Sequence, residues 1–172
     1  RQNVIDYVTI ASTGDAVDFG DITVARADGA GVASPTRGLM VGGDPATNTI
    51  DYITIATTGN AIDFGDLSAQ TTVAASCSSS TRGIWNYDAG PVAEMRFVNI
   101  RSTGNTTDFG DGYGDREMNG GQSSSTRGMF AGGYSANNTI AFITMATEGD
   151  TIDFGDLLAG RTGAAICSSS FL

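Results

Sequence analysis

The stretch Ile50-Asp51-Tyr52-Ile53-Thr54-Ile55-Ala56-Thr57-Thr58-Gly59-Asn60-Ala61-Ile62-Asp63-Phe64-Gly65-Asp66 decides the fold. Its first six residues are mostly β-branched or aromatic, which favours a strand. Alternation puts Ile50, Tyr52 and Thr54 on one face and Asp51, Ile53 and Ile55 on the other. Both faces are partly apolar, the pattern of a strand in a sheet covered on each side. Thr58-Gly59-Asn60 reads as the turn that follows. A short strand then enters Asp63-Phe64-Gly65-Asp66.

Working outward, the same wording returns in register. Asp-Phe-Gly-Asp occurs at Asp18–Asp21, Asp63–Asp66, Asp108–Asp111 and Asp153–Asp156, each 45 residues from the last. Ile5-Asp6-Tyr7-Val8, Met95-Arg96-Phe97-Val98 and Ile140-Ala141-Phe142-Ile143 mirror Ile50-Asp51-Tyr52-Ile53. Ser34-Pro35-Thr36-Arg37 recurs as Ser79-Ser80-Thr81-Arg82 and Ser124-Ser125-Thr126-Arg127. Weaker strands are expected at Thr72–Cys77 and at Gly38–Gly43, the latter repeated at Gly128–Gly133. No segment carries an apolar period of 3.6 long enough for a helix. Four short strands in a unit of 40 to 50 residues predict a blade of a β-propeller. The expectation is therefore an all-β, single-domain chain over 1–172, with repeats of roughly 1–37, 38–82, 83–127 and 128–172. A ring of four four-stranded blades, closed by pairing of the two chain ends, is the favoured architecture. A longer propeller, or several copies completing a ring, stay open beside it.

Composition narrows the chemistry. The chain of 172 residues carries 24 glycines, 19 acidic and 9 basic residues, and a net charge of −10. All nine basic residues are arginine; without lysine or histidine there is no His base, Ser-His triad, His metal ligand or P-loop lysine. The acidic balance argues against nucleic acid as a partner, and no run of about 18 apolar residues predicts membrane insertion. Cys77 and Cys167 form no CxxC pair and are expected to be free, buried thiols.

The apolar strand ending in Gly42-Gly43 or Gly132-Gly133, the following aromatic (Tyr52, Phe142), a second aromatic and a later arginine (Arg26, Arg116, Arg161) resemble the kelch repeat. The second repeat departs from it, with Tyr87-Asp88 in place of the glycine pair and Thr71 in place of the arginine. The fuller wording, from Thr-Arg-Gly-apolar through Asp-Phe-Gly-Asp, is similar to kelch-type repeats in virion structural and tail proteins of marine bacteriophages. The resemblance implies a propeller whose loops bind other proteins or, in some members of the family, carry catalysis.

Within the repeats, Phe19, Phe64, Phe109 and Phe154 are expected to fill the space between blades. The following glycine permits a positive-φ bend, and the aspartates cap turn N–H groups; calcium is the weaker reading of these carboxylates, and no metal or other cofactor is expected. Arg37, Arg82 and Arg127, like Arg26, Arg116 and Arg161, are expected to bridge to aspartates. Positions where repeats disagree are the candidate binding residues: Trp85, Tyr87, Asp88, Tyr113, Arg116 and Glu117. Their bland reading is loop drift, with Trp85 a core substitute for Met40 and Phe130.

The functional expectation is a non-enzymatic structural or binding module, virion-borne or extracellular, and most closely a phage tail or fibre-associated component. Its partners would be other virion or surface proteins, a host receptor or a glycan, with homo-oligomers among the assemblies. A secreted carbohydrate-binding lectin-like propeller is the alternative; an enzyme on the same scaffold would need a convergent carboxylate pair or metal cluster that no repeated feature demands.

Overall fold

The computed structural model describes residues 1–72, 75–88, 93–113, 120–133, 136–162 and 165–167, with the side chains of 87 and 88 outside that description. Among the described residues the chain is all-β, without a helix, and therefore without one long and apolar enough to cross a membrane. A two-stranded sheet comes first, β1 (Gln2–Tyr7) with β2 (Val17–Arg26). Three four-stranded meanders follow. The second sheet holds β3 (Ala30–Ala33), β4 (Arg37–Val41), β5 (Thr47–Thr54) and β6 (Ile62–Thr71); the third, β7 (Ala75–Ser78), β8 (Arg82–Asp88), β9 (Ala93–Asn99) and β10 (Thr107–Asp111). The fourth holds β11 (Gly120–Ser123), β12 (Arg127–Ala131), β13 (Thr139–Thr144) and β14 (Ile152–Asp156). Every pairing is antiparallel, so tight local turns suffice to connect them. This is the propeller-like, blade-by-blade architecture that the 45-residue period implies.

The equivalents of β1 and β2 are the third and fourth strands of the later sheets. In the first sheet β1 therefore has β2 on one side and, among the described residues, no strand on the other.

The third sheet buries both faces, one against each neighbour in sequence. One core, Leu39, Ile50, Phe64, Leu67, Trp85, Val98 and Ile100 among others, lies between the second and third sheets. The other, including Ile84, Met95, Phe109, Phe130, Ile143 and Met145, lies between the third and fourth. The apolar residues that the strand pattern sends to both sides are thus consumed by two successive interfaces. The first strands of consecutive four-stranded sheets stand side by side and are tied by serine hydrogen bonds that each span one period of 45: Ser76 Oγ donates to Gly31 O at 2.9 Å, and Ser123 Oγ to Ser78 O at 2.6 Å.

The Asp-Phe-Gly-Asp motif makes the same irregularity four times. Asp63 faces Asp51 and Gly65 faces Ile50, leaving Phe64 as an extra, unpaired residue, a β-bulge; the same shift occurs at Phe19, Phe109 and Phe154. The glycine after each phenylalanine has φ of 143–146°, the positive value expected for it. The bulge turns the phenylalanine inward, edge-on to the aromatic of the preceding strand, with Tyr52–Phe64 and Phe97–Phe109 centroids both 5.8 Å apart.

Candidate functional site

The repeated feature with the richest chemistry is the junction between consecutive sheets. The turn before the last strand of one sheet inserts its Gly-Asn or Gly-Asp pair against the bulge of the sheet before. Gly59 N donates to Phe19 O at 2.7 Å, Gly104 N to Phe64 O at 2.8 Å and Gly149 N to Phe109 O at 2.7 Å. Two residues on, Ala61, Thr106 and Thr151 donate to the carbonyls of Asp21, Asp66 and Asp111 at 2.8–2.9 Å. Side chains complete the clasp, Asn60, Asn105 and Asp150 each accepting from those aspartates' own N–H at 2.9–3.1 Å. The expected capping of turn N–H groups is thus done mainly by the neighbouring turn; Asp153, which accepts from Gly155 N at 3.1 Å, caps within its own motif.

The phenylalanines fill the space between sheets, as expected, in three of the four copies. Phe19, Phe64 and Phe109 are 8%, 2% and 2% exposed, but Phe154 is 55% exposed. Its sheet is the last described, and among the described residues no turn covers its bulge.

The arginines divide by position. Arg26 forms the expected bridge: Nη2 lies 2.7 Å from Asp51 Oδ2, with both side chains buried. Thr23 Oγ1 donates to the other carboxylate oxygen at 2.6 Å. Arg37, Arg82 and Arg127 instead lie 4.7 Å above the rings of Tyr52, Phe97 and Phe142. Arg37 also donates to Ile100 O at 3.0 Å and Arg82 to Met145 O at 3.2 Å, across to the next sheet. For these three the expectation of aspartate bridges is corrected: a strand places a guanidinium beside the cross-strand aromatic, and the planar cation stacks there. Arg82 also sits 3.6 Å from Glu148, a glutamate and half exposed.

The candidate binding residues scatter. Trp85 is wholly buried within the core between the second and third sheets, so it anchors the core and is no surface anchor. It replaces Met40 and Phe130 at an inward-facing register position, and the wider indole fills the interface there. Tyr113 is 40% exposed just after β10. Tyr87 and Asp88 belong to β8, with side chains outside the described residues, where Arg116 and Glu117 lie entirely. Both cysteines are free. Cys77 is buried, its thiol 3.8 Å from Met145 Sδ, and burial pushes its pKa well above the ordinary value. Cys167 is exposed rather than buried, and it lies past the last strand of the fourth sheet. Among the described residues no three cysteine, aspartate or glutamate side chains gather into a group that could hold a metal ion.

Reading the sequence for function missed the clasp, although its signal is present. Gly14-Asp15, Gly59-Asn60, Gly104-Asn105 and Gly149-Asp150 recur with the same period as the motif they grip. No protein-family model matches the chain, and no curated protein matches it.

Proposed function

We propose that the chain is a non-enzymatic binding scaffold built of kelch-like propeller blades, with its first and last repeats joined in the working assembly. In this reading it is a phage virion component, tail or fibre-associated, that holds loops rigidly for other virion proteins or a host receptor. The observation that carries the scaffold reading is the threefold repetition of one junction with the same donors, acceptors and spacing. A clasp reproduced at every interface fixes the orientation of each sheet to the next, which is what rigid display requires. Exposed Tyr113 lies where sibling repeats place apolar or small residues, and it supplies an aromatic contact of the kind partner surfaces use.

The lectin alternative loses its best residue, since buried Trp85 cannot stack on a sugar ring. A glycan array separates the two: the scaffold reading expects no saturable binding, whereas defined binding abolished by Tyr113→Ala would favour the lectin. Antibodies raised to the chain should label purified native particles by immunogold microscopy. Particles that stay unlabelled while free chain is detected would overturn the virion assignment.

A further inference from the structure

The two ends of the repeat array carry the unmatched halves of one more clasp. At the last bulge, a Cβ built on Gly155 meets nothing within 4 Å, whereas one built on Gly110 meets Gly149 C and O at 2.5 Å. Phe154, Gly155 and Asp156 are therefore an empty socket with the conformation of the three filled ones, φ of Gly155 being 145°. At the first repeat, Gly14-Asp15-Ala16 is an insert of the same type, and among the described residues no socket receives it. Ile10 just before it is 98% exposed, while its equivalents Ile55, behind the two-stranded first sheet, and Ile100 and Met145, each behind a four-stranded one, are 45%, 0% and 2% exposed.

The charges at the ends agree with the geometry. The buried pair Arg26–Asp51 spans 25 positions (51 − 26). The same offset from Arg161 reaches 186, and subtracting four periods of 45 gives 6, which is Asp6. Both Arg161 and Asp6 are exposed. The corresponding positions inside the array are Thr71 with Arg96 and Arg116 with Ala141, so an Arg–Asp match is not imposed by the repeat. The offset of 63 that takes Arg37 to Ile100 O and Arg82 to Met145 O takes Arg127 in the same way to position 10.

We propose that a second copy of this chain docks head to tail, its first repeat seated on the fourth sheet of the copy before it. Gly14 N donates to Phe154 O, and Asp156 N donates to Asp15 Oδ1. Arg161 pairs with Asp6, and Arg127 reaches the Ile10 carbonyl while the Ile10 side chain covers the apolar ground beside β11 and β12. The occupant is a copy because residues 1–167 already bear both halves, both exposed among the described residues, and the Arg161–Asp6 match is between this chain's own side chains. Such a contact is heterologous, so copies add in one direction until a ring closes or a filament grows. The register rests on the propeller-blade reading and is independent of the virion assignment.

Analytical ultracentrifugation of the full chain over a concentration series tests this. The wild type is expected to form oligomers, Arg161→Glu and Asp6→Arg each to weaken association about tenfold or more, and the double variant to recover most of it. Crosslinking identifies the partner. In a Cys167→Ser background, Asp15→Cys protein mixed with Asp156→Cys protein should yield mixed disulfide dimers, while Asp21→Cys/Asn60→Cys, the internal equivalent, bonds within one chain. A monomeric wild type in which Asp15→Cys/Asp156→Cys crosslinks within one chain would overturn the second copy and leave the propeller reading intact, with the ring closed in cis. A formed control with no crosslink at the ends, in either arrangement, would overturn the end-to-end junction in both readings.

Discussion

Arg26 and Asp51 sit on different sheets, yet their buried side chains meet at 2.7 Å and close the first interface. Breaking such a pair strands a charge. Asp51→Ala is therefore expected to cost about 3–5 kcal/mol in denaturant unfolding. The double variant Arg26→Met/Asp51→Leu, which removes both charges, should lose much less. A double variant as unstable as Asp51→Ala would show that the charge is not what matters.

Gly110 and Gly155 share a backbone conformation but differ in their surroundings. Alanine strains both alike, and at Gly110 it also drives a methyl group into the Gly149 carbonyl. Gly110→Ala should therefore be less stable than Gly155→Ala by about 1–3 kcal/mol, measured at concentrations where the chains are monomeric. Equal losses would mean that strain, and not the tight approach of the neighbouring turn, makes glycine necessary here.

Arg82 stacks on Phe97 and also donates to Met145 O, whereas Arg127, among the described residues, has its ring stack on Phe142 without such a carbonyl. Replacing Arg82 by Gln should cost about 1–2 kcal/mol, and replacing Arg127 by Gln roughly 0.5 kcal/mol. Thermal melts of the two variants side by side provide the comparison, and a reversed order would refute the role given to the carbonyl contact.

The two thiols should react very differently. Exposed Cys167 is expected to label promptly with a thiol reagent, and buried Cys77 only when the third and fourth sheets separate. The raised pKa of Cys77 also sets a sign. Above its ordinary value of 9.0 the unfolded thiol loses its proton while the folded one keeps it. The folded state then binds more protons, so stability falls as pH rises from about 9. Cys77→Ala should flatten that alkaline slope, as read from unfolding midpoints between pH 8 and 10.

Much of this fold was legible because one pattern was written four times. The alternation in Ile50–Ile55 foretold a doubly covered strand, and Ile50 and Asp51, side by side, are both fully buried on opposite faces. Trp85 was harder to place: its rarity suggested a surface anchor, but its register position, shared with Met40 and Phe130, points inward. Arg37, Arg82 and Arg127 meet rings rather than the expected aspartates for a related reason. Charge counting finds aspartates everywhere in an acidic chain, while cross-strand register decides which side chain an arginine actually meets. The clasp eluded the sequence because it is made largely of backbone groups, whose partners depend on how sheets stack rather than on residue identity.

The polar slot occupied by Arg26 and Asp51 has a consequence for the order of the array. At the corresponding positions later interfaces carry Thr71 with Arg96 and Arg116 with Ala141, so each seam has its own chemical key although all share one clasp. The units are alike in shape but not interchangeable. Moving the segment that holds Asp51 so that it follows Thr71 would put a carboxylate into a pocket with no arginine to meet it. A shuffled gene would encode the same blades and a poorer protein.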